Sequence, residues 1–211
     1  MTRIVGIADL HGNLPDDLPS GDVLVIAGDV CPVVDHRIER QRAWLGGSLY
    51  PWLEELPHAE VVWIAGNHDF VCETGGWEAG GRGHYLLDER LELAGVSFYG
   101  TPWVPNLPQW AFHASEAELQ ERSRSIPQVD VVVSHGPPCG YGDRVRGLGP
   151  VGSRALLDRL AAVPPRLCLF GHIHEGHGRW QRGETTLANV AHVDELYEVR
   201  PGAAQVFELE P

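Results

Sequence analysis

Five short apolar runs along the chain each end in a cluster of polar residues. Most of these runs are rich in Val and Ile without alternation of apolar and polar positions, which is typical of strands covered on both faces. A buried helical segment would give the same pattern, but the shortness of the runs and the Gly or Asp near their ends favour strands. The predicted strands are Ile4–Ile7, Val23–Ala27, Val61–Ala65, Val129–Val133 and Arg166–Phe170.

Helix-like stretches separate several of these strands. They cover Arg37–Leu56, Ser115–Ser125 and Ser153–Ala162. In the second stretch, Ser115 is followed three residues later by Glu118, which is the signature of a capping box at a helix N-terminus. The alternation of strand-like and helix-like segments predicts a layered α/β domain with polar residues at the strand ends, where α/β folds place their sites.

The remaining segments predict smaller features. Leu91–Leu93 and Val96–Tyr99 flank a two-residue Ala-Gly turn and predict a hairpin. Thr185–Asn189 and Ala204–Phe207 are two further strand candidates near the C-terminus. Residues 73–83 form a glycine-rich loop. We find no repeat, low-complexity tract or linker along the chain.

The charge balance limits the kinds of partner. Acidic residues outnumber basic ones by 29 to 16, which gives a formal net charge of −13. A general nucleic-acid binder or a protein of anionic membranes needs a positive field, so we expect neither partner. Every Lys or Arg position is occupied by Arg, and the absence of Lys excludes a Schiff-base lysine and the P-loop phosphate ligand.

The remaining composition predicts an intracellular protein. The N-terminus lacks the features of a secretory leader, and no apolar run approaches the length of a membrane-spanning helix. With 43% hydrophobic residues among 211, the chain has apolar material for one substantial core, so we predict a single cytoplasmic domain over residues 1–211. Reduced thiols are a simpler interpretation than disulfides for the widely spaced cysteines. These are Cys31, Cys72, Cys139 and Cys168.

The polar clusters at the strand ends hold carboxylates, an amide and imidazoles. A single His or Asp after a strand is more often a structural residue, so the interpretation depends on the coincidence of all five clusters. Oxygen and nitrogen donors without thiolate suit Mn²⁺, Fe or Zn²⁺ better than a structural zinc site. Without a metal, such a cluster would leave buried charges and donors unpaired. The candidate residues are Asp9, His11, Asp29, Asn67, His68, His135, His172 and His174.

The motifs D-x-H, G-D, G-N-H-D, H-G-P-P and G-H-x-H, in this order, resemble those of the calcineurin-like metallophosphoesterase superfamily. The match runs from Asp9 to His174, which is most of the chain. The segments Ser134–Pro138 and Gly171–Gly176, followed by Asn189, look most like the subgroup that includes the mammalian brain metallophosphoesterase-domain proteins. The resemblance implies an α/β fold of four layers, in which two β-sheets pack face to face and are flanked by helices.

The resemblance also implies two divalent or mixed-valence metal ions. We expect Mn²⁺ to support activity in vitro, with Fe or Zn²⁺ as alternatives. Two adjacent cations lower the pKa of a bridging water and clamp the attacking and leaving oxygens of a phosphate ester. The implied ligands are Asp9, His11 and His174 for the first metal, Asn67, His135 and His172 for the second, and Asp29 as the bridge.

The implied activity is hydrolysis of small soluble phosphodiesters, cyclic nucleotides among them, by a metal-bridging hydroxide. His68 would bind no metal and would stabilise the phosphoryl oxygens or protonate the leaving oxygen, and Asp69 would orient His68. A phosphomonoesterase, a nuclease and a non-catalytic metal-binding scaffold are the alternatives. The intact set of ligands argues against the scaffold, and the acidic surface argues against the nuclease.

Several residues near the motifs stay open between a role in the site and a structural role. Asn13 and Glu175 either orient ligands or form caps and turns, and His177 either contacts substrate or faces solvent. Trp103 and Trp110 either belong to the core or line a pocket. Some arginines lie close to the motifs in sequence and would favour a monoester if they entered the site. These are Arg144, Arg146 and Arg179.

Overall fold

The computed structural model describes residues 1–74, 77 and 79–210. Its strands are β1 (Thr2–Ile7), β2 (Val23–Ala27), β3 (Glu60–Ile64), β4 (His84–Tyr85), β5 (Glu89–Leu93), β6 (Val96–Thr101), β7 (Val131–Ser134), β8 (Arg144–Val145), β9 (Gly149–Pro150), β10 (Leu167–Phe170), β11 (Gly178–Arg182), β12 (Thr185–Asn189) and β13 (Gln205–Leu209). Its helices are α1 (Ile38–Trp44), α2 (Tyr50–Glu55), α3 (Phe70–Glu73), α4 (Glu116–Arg124) and α5 (Arg154–Ala162). A π-helical turn, Leu45–Leu49, joins α1 to α2, and a 3-10 turn spans His174–Gly176.

Two large sheets carry most of these strands. The first has the order β13-β1-β2-β3-β4, and the second has the order β11-β12-β10-β7-β6-β5. Strands β1 to β4 run parallel to one another, as do β12, β10, β7 and β6. Antiparallel strands close three edges, namely β13 beside β1, β11 beside β12 and β5 beside β6. Parallel central strands bring their C-terminal ends to one edge of each sheet.

The sheets pack face to face, and helices cover their outer faces. Successive residues of a strand point to opposite faces. Because both faces of the central strands are covered, residues on both faces are apolar and the sequence shows no alternation. On the outer faces, Trp63 of the first sheet packs in one cluster with Leu49 and Leu53, whereas Phe170 of the second packs with Leu160 of α5. The core between the sheets includes the fully buried Ile4, Val25, Ile64, Phe98, Val133 and Leu169.

The predicted fold class is confirmed. The layers are helix, sheet, sheet and helix, and each of the five apolar runs contains a strand. The predicted helix over residues 37–56 is the continuous segment of α1, the π-helical turn and α2. The capping box at the start of α4 is present, with the Ser115 hydroxyl accepting from the N–H of Glu118. The predicted hairpin is β5–β6, and its turn residues Ala94 and Gly95 have φ of 51° and 75°, as a two-residue turn of type I′ requires.

The periphery differs from the predictions. The last strand begins one residue later than expected and extends to Leu209. Strand β11 was not predicted, because its five residues alternate between half-buried and exposed and carry mostly polar side chains. The two-residue strands β4, β8 and β9 were also missed, since two residues do not form a recognisable period. Within the predicted glycine-rich loop, Gly75, Gly76 and Glu78 lie outside the described residues. In the described part of the chain, no helix is long and apolar enough to cross a membrane.

Candidate metal centre

The candidate ligands lie on loops that follow five parallel strands. The loop after β1 carries Asp9 and His11, and the loop after β2 carries Asp29. Backbone hydrogen bonds join the two sheets at this edge, because Ala8 N–H donates to Val190 O at 2.9 Å and His192 N–H donates to Ala8 O at 2.7 Å. The loops after β3, β7 and β10 supply Asn67, His68, His135, His172 and His174. Residues that are up to 165 positions apart in sequence, as Asp9 and His174 are, therefore meet in one place.

Asp9, His11 and His174 form the first group. Their ligand atoms lie within 4.8 Å of one another. The His174 Nε2 lies 3.2 Å from His11 Nε2 and 3.7 Å from Asp9 Oδ1. Three donors this close together can bind one metal ion and leave positions for further ligands.

Asp29, His135 and His172 form the second group, with the same mutual limit of 4.8 Å. The His135 Nε2 lies 3.3 Å from Asp29 Oδ2 and 3.0 Å from Asn67 Oδ1, so Asn67 belongs to this group by position. The Asp29 Oδ2 also lies 3.7 Å from His11 Nε2. Asp29 therefore stands between the two groups, with its carboxylate close to ligand atoms of both.

The hydrogen bonds of the imidazoles orient their free nitrogens in a way that suits the binding of cations. The Nδ1 of His135 lies 2.9 Å from Ala27 O, and the Nδ1 of His174 lies 3.0 Å from Asp194 O. A carbonyl oxygen only accepts, so both Nδ1 atoms donate and both Nε2 atoms face the cluster. In neutral His135 the Nε2 lone pair then confronts the oxygens of Asn67 and Asp29. A cation removes this conflict, and in its absence an added proton must do so.

The pKa values describe the same balance of charge. Burial opposes ionisation of Asp29, but the neighbouring His135 and His68 outweigh it and hold the pKa of Asp29 well below its ordinary value. Burial also disfavours the charged form of His135, yet Asp29 overcomes this and raises the pKa of His135 to about 9. For His172 and His11 burial prevails and lowers the pKa to about 3 and about 4. Both imidazoles are therefore neutral at pH 7 and can bind a cation without first losing a proton.

Four of the candidate ligands adopt a backbone conformation that is unusual for residues with a side chain. Their φ values are 54° for Asp9, 45° for His11, 55° for Asp29 and 69° for His172. Left-handed backbone at non-glycine residues costs free energy and clusters at functional sites. The His172 N–H donates to both carboxylate oxygens of Asp9 at 3.0 Å, which holds two of these strained loops together.

Glycines in the motifs allow the loops to approach one another. A Cβ at Gly66 would collide with the carboxylate of Asp29, and a Cβ at Gly171 would collide with the carboxylate of Asp9. These contacts explain in physical terms why the ligand in each of these motifs is preceded by a residue without a side chain.

Asp69 has a different set of contacts from the one that we expected. Its carboxylate accepts hydrogen bonds from the backbone N–H groups of Val30, Cys31 and Gly66 at 3.1, 2.8 and 2.8 Å. Burial and the nearby Asp29 raise the pKa of Asp69 to about 6. Asp69 therefore joins the loop after β2 to the loop after β3. It acts on the backbone of these loops, whereas we expected it to orient the ring of His68.

His68 lies beside both groups and forms a third one with His11 and Asp29. Its backbone N–H donates to Asp29 Oδ1 at 2.7 Å, and its carbonyl accepts from Gln41 Nε2 at 2.6 Å. A ligand atom of its ring lies within 4.8 Å of those of His11 and Asp29. The His68 Nδ1 lies 3.0 Å from His36 Nε2. His36 belongs to no motif, and no signal in the sequence connects it with the site.

The site opens into a cleft of about 290 Å³ whose walls include residues that sequence reasoning left open or missed. Trp110 lines this cleft, and its ring centroid lies 4.3 Å from that of His68. Tyr197, which was not singled out, also lines it and contacts the rings of His11 and His174 at 5.0 and 5.2 Å. Both rings are within reach of a molecule that enters the cleft.

The other residues whose roles the sequence left undecided make structural contacts. Trp103 donates to Asp88, Asn13 donates to Leu10 O as in a turn, and His177 lies 3.0 Å from Ala203 O. Glu175 lines the mouth of the cleft and accepts from the backbone N–H of Arg146 at 3.0 Å.

The arginines near the motifs stay outside the residues that line the cleft. The guanidinium of Arg179 donates to Gln205 Oε1 and Val206 O and stacks on Phe207. Arg144 and Arg146 line a neighbouring cleft that shares residues with the mouth of this one.

The family model of calcineurin-like phosphoesterases matches residues 2–176. The chain belongs to this family. The family assignment predicted from the motifs is therefore confirmed, and the groups of His and Asp described above are those that can hold the metals on which calcineurin-like phosphoesterases depend.

Two curated relatives cover most of this chain, and one solved structure shares its fold. Human "Metallophosphoesterase domain-containing protein 1" is 32% identical over 90% of this chain, and the chain spans 66% of that protein. A UPF0046 protein of Caenorhabditis elegans is 31% identical over 91% of this chain and 75% of its own length. The solved structure of a phosphopantetheinyl hydrolase from Mycobacterium tuberculosis shares the fold, with a TM-score of 0.59 and 15% identity over 99% of this chain and 96% of that one.

Proposed function

We propose that this calcineurin-like phosphoesterase is a dinuclear metal-dependent phosphodiesterase that hydrolyses small soluble diesters, cyclic nucleotides among them. The position of Asp29 carries this proposal. Its carboxylate belongs to the group with His135 and His172 and also lies 3.7 Å from His11 Nε2 in the neighbouring group. A carboxylate shared by two sets of ligands supports two adjacent cations better than one.

Each residue of the centre has a distinct part in this proposal. Two adjacent cations, when bound, supply an activated water and neutralise the oxygens of the phosphoryl group. Asp29 would bridge the cations, and the Nε2 atoms of His135 and His174 would bind them, because their Nδ1 atoms are held by carbonyl oxygens. The ligands of the first cation would be Asp9, His11 and His174, and those of the second Asn67, His135 and His172.

His68 would act on the substrate and not on the cations. Its ring adjoins the cleft between Asp29 and Trp110. From this position an imidazole N–H can donate to a phosphoryl oxygen or to the leaving oxygen. A positive or donating group at the leaving oxygen reduces the charge that develops there as the ester bond breaks.

The charge of the cleft favours a diester over a monoester. Among the described residues that line it, Asp29, Glu175 and Glu195 are acidic and none is Arg. Asp29 would be neutralised by the cations, which leaves the two glutamates. A monoester dianion would meet these carboxylates without a fixed guanidinium to offset them, whereas a diester carries a single negative charge. The cations and His68 would supply most of the positive field.

The two aromatic walls of the cleft favour a diester with a planar arm. Trp110 and Tyr197 stand at the ends of a row of rings whose middle members are His68 and His11, with successive centroids 4.3, 4.8 and 5.0 Å apart. Tyr197 is 43% exposed, so its ring is accessible to a ligand. Aromatic side chains stack on nucleobases and other planar groups with little regard to their identity.

One set of assays tests the proposal. Purified protein is loaded with Mn²⁺, its metal content is measured by elemental analysis, and kcat/KM is determined for four substrates under one metal condition. The substrates are bis(p-nitrophenyl) phosphate, p-nitrophenyl phosphate, 2′,3′-cyclic AMP and 3′,5′-cyclic AMP. We expect two metals per chain and at least equal efficiency on the diesters.

The alternatives give different results in the same assays. A strong preference for p-nitrophenyl phosphate with no turnover of either class of diester would make the protein a monoesterase. One metal per chain at saturation would contradict the dinuclear centre. Two bound metals without hydrolysis of any ester under Mn²⁺, Fe²⁺ or Zn²⁺ would leave the metal-binding scaffold as the function.

A further inference from the structure

His36 lies in the segment between β2 and α1 and reaches the ring of His68 from outside the metal groups. The His36 Nε2 is 3.0 Å from His68 Nδ1, which is hydrogen-bond distance. The backbone on both sides of His36 is held by a local contact, since the Asp35 carboxylate accepts from the N–H of Arg37 at 3.1 Å and from its guanidinium. The contact between the two imidazoles is therefore made by a segment with a defined turn.

Packing holds the two rings in this arrangement. The His36 ring contacts Phe70 and Trp110 with centroid distances of 5.3 and 5.4 Å. The Trp110 ring in turn lies 4.3 Å from the His68 ring. An aromatic side chain that touches both imidazoles restricts the directions in which either can rotate.

Asp69, the neighbouring carboxylate in sequence, is engaged elsewhere. Both of its oxygens accept hydrogen bonds from backbone N–H groups of the loops after β2 and β3. His36 is thus the residue whose polar atom lies next to Nδ1 of His68.

We propose that His36 is a positioning residue for His68, in which His36 Nε2–H donates to His68 Nδ1 and so holds the proton of neutral His68 on Nε2. Two neutral imidazole nitrogens in contact must be one donor and one acceptor. With Nδ1 accepting, Nε2–H of His68 is a donor to a phosphate oxygen. With Nδ1 donating, Nε2 would present a lone pair, which repels such an oxygen. The choice of His36 as the donor rests on the proposed function, whereas the contact between the two nitrogens does not.

Three variants separate positioning from packing. His36→Leu removes the donor and keeps an apolar side chain, and His36→Gln retains an N–H on a side chain of similar reach. His84→Leu, a histidine of β4 beside Glu60, is the matched control. We expect His36→Leu to lower kcat about tenfold, as the loss of one hydrogen bond implies, with KM within about twofold. His36→Gln should recover most of this loss, and His84→Leu should match the wild type.

A double substitution and a spectroscopic measurement make the test independent of folding. In a His68→Ala background, His36→Leu should cause no further loss of kcat, because its effect passes through the His68 ring. The ¹⁵N resonances of the imidazoles, measured in metal-free and Zn²⁺-loaded protein, report which nitrogen carries the proton. We expect His68 Nδ1 to be unprotonated in the wild type and mixed protonation in His36→Leu, with unchanged metal content.

Several results would overturn the inference. A His68 ring protonated on Nδ1 in the wild type contradicts the assigned tautomer. Full additivity of His36→Leu and His68→Ala, or a His36→Gln variant as slow as His36→Leu, shows that His36 acts by packing alone. If the wild type hydrolyses no phosphate ester, the proposed function fails, while the nitrogen resonances still decide whether His36 holds the tautomer of His68.

Discussion

The metal groups beneath the cleft, called its floor below, are almost completely enclosed, whereas the mouth of the cleft is half open to solvent. On the floor, Asp9 and His135 are fully buried and Asp29 is 1% exposed, and each is held by hydrogen bonds from or to the backbone. At the mouth, Tyr197 is 43% exposed. Glu175 is also exposed, and its carboxylate accepts a hydrogen bond from the backbone N–H of Arg146, between β8 and β9.

This difference separates the type of chemistry from the choice of substrate. Charges on an enclosed floor are screened little by water, so carboxylates and imidazoles there demand compensating cations. Side chains at the mouth cost little to rearrange and can adapt to different ligands. Substitutions on the floor should therefore strongly reduce metal binding or turnover for every substrate, and substitutions at the mouth should change only which ligands bind well.

The largest expected effect belongs to Asp29→Ala. Loss of the shared carboxylate should weaken both metal sites and reduce kcat/KM by about 10³-fold or more, since bound cations supply several kcal/mol of transition-state stabilisation. Elemental analysis and kinetics on bis(p-nitrophenyl) phosphate measure both quantities. Asp16→Ala, at an exposed carboxylate, should change neither. Two tightly bound metals in Asp29→Ala would show that the carboxylate is not shared.

His68→Ala should separate chemistry from metal binding. We expect both metals to remain bound while kcat falls by about 10²-fold or more, as for a positioned proton donor. Elemental analysis and steady-state kinetics on a diester measure the two properties in one preparation. If metal content falls in proportion to the rate, His68 is a ligand, which its position near His11 and Asp29 would also permit.

Asn189→Ala tests whether metal binding depends on residues that hold the ligand loops in place. Asn189 is fully buried, and its amide donates to Ile173 O at 2.8 Å between the two histidines of the last motif. We expect metal affinity to fall about 10- to 100-fold, as for other groups that orient ligands. Titration of metal-free protein with Mn²⁺ measures it. Thr186→Ala on the same strand is the control, and equal affinities in the two variants would remove this role.

Tyr197→Ala should give the smallest effect, confined to ligands with a planar arm. We expect AMP to bind about fivefold more weakly, which corresponds to the loss of one stacking contact, while inorganic phosphate binds as before. Calorimetry on metal-loaded protein measures both affinities, and Tyr197→Phe should behave as the wild type. A parallel loss for phosphate would assign Tyr197 to the support of His11 and His174, which its ring contacts.

The central strands and the chemical types of the residues at their ends could be predicted from the sequence. Runs such as Val23–Ala27 carry this information locally, because a strand buried on both faces must be apolar throughout. Strand ends are also local features, so parallel strands predict which side chains gather at one edge, and the order of motifs predicts the family. The edge strand β11 was missed because an edge strand needs few apolar residues.

The contacts between side chains across the site could not be predicted from the sequence, because they depend on the tertiary structure. The contact of His36 with His68 spans 32 positions, and Tyr197 reaches His11 from the other end of the chain. Asp69 adjoins His68 in sequence, yet its carboxylate binds backbone N–H groups of the loop after β2. Such contacts depend on loop conformations and on the packing of two sheets against each other. Neither property has a period or a local composition from which it can be predicted.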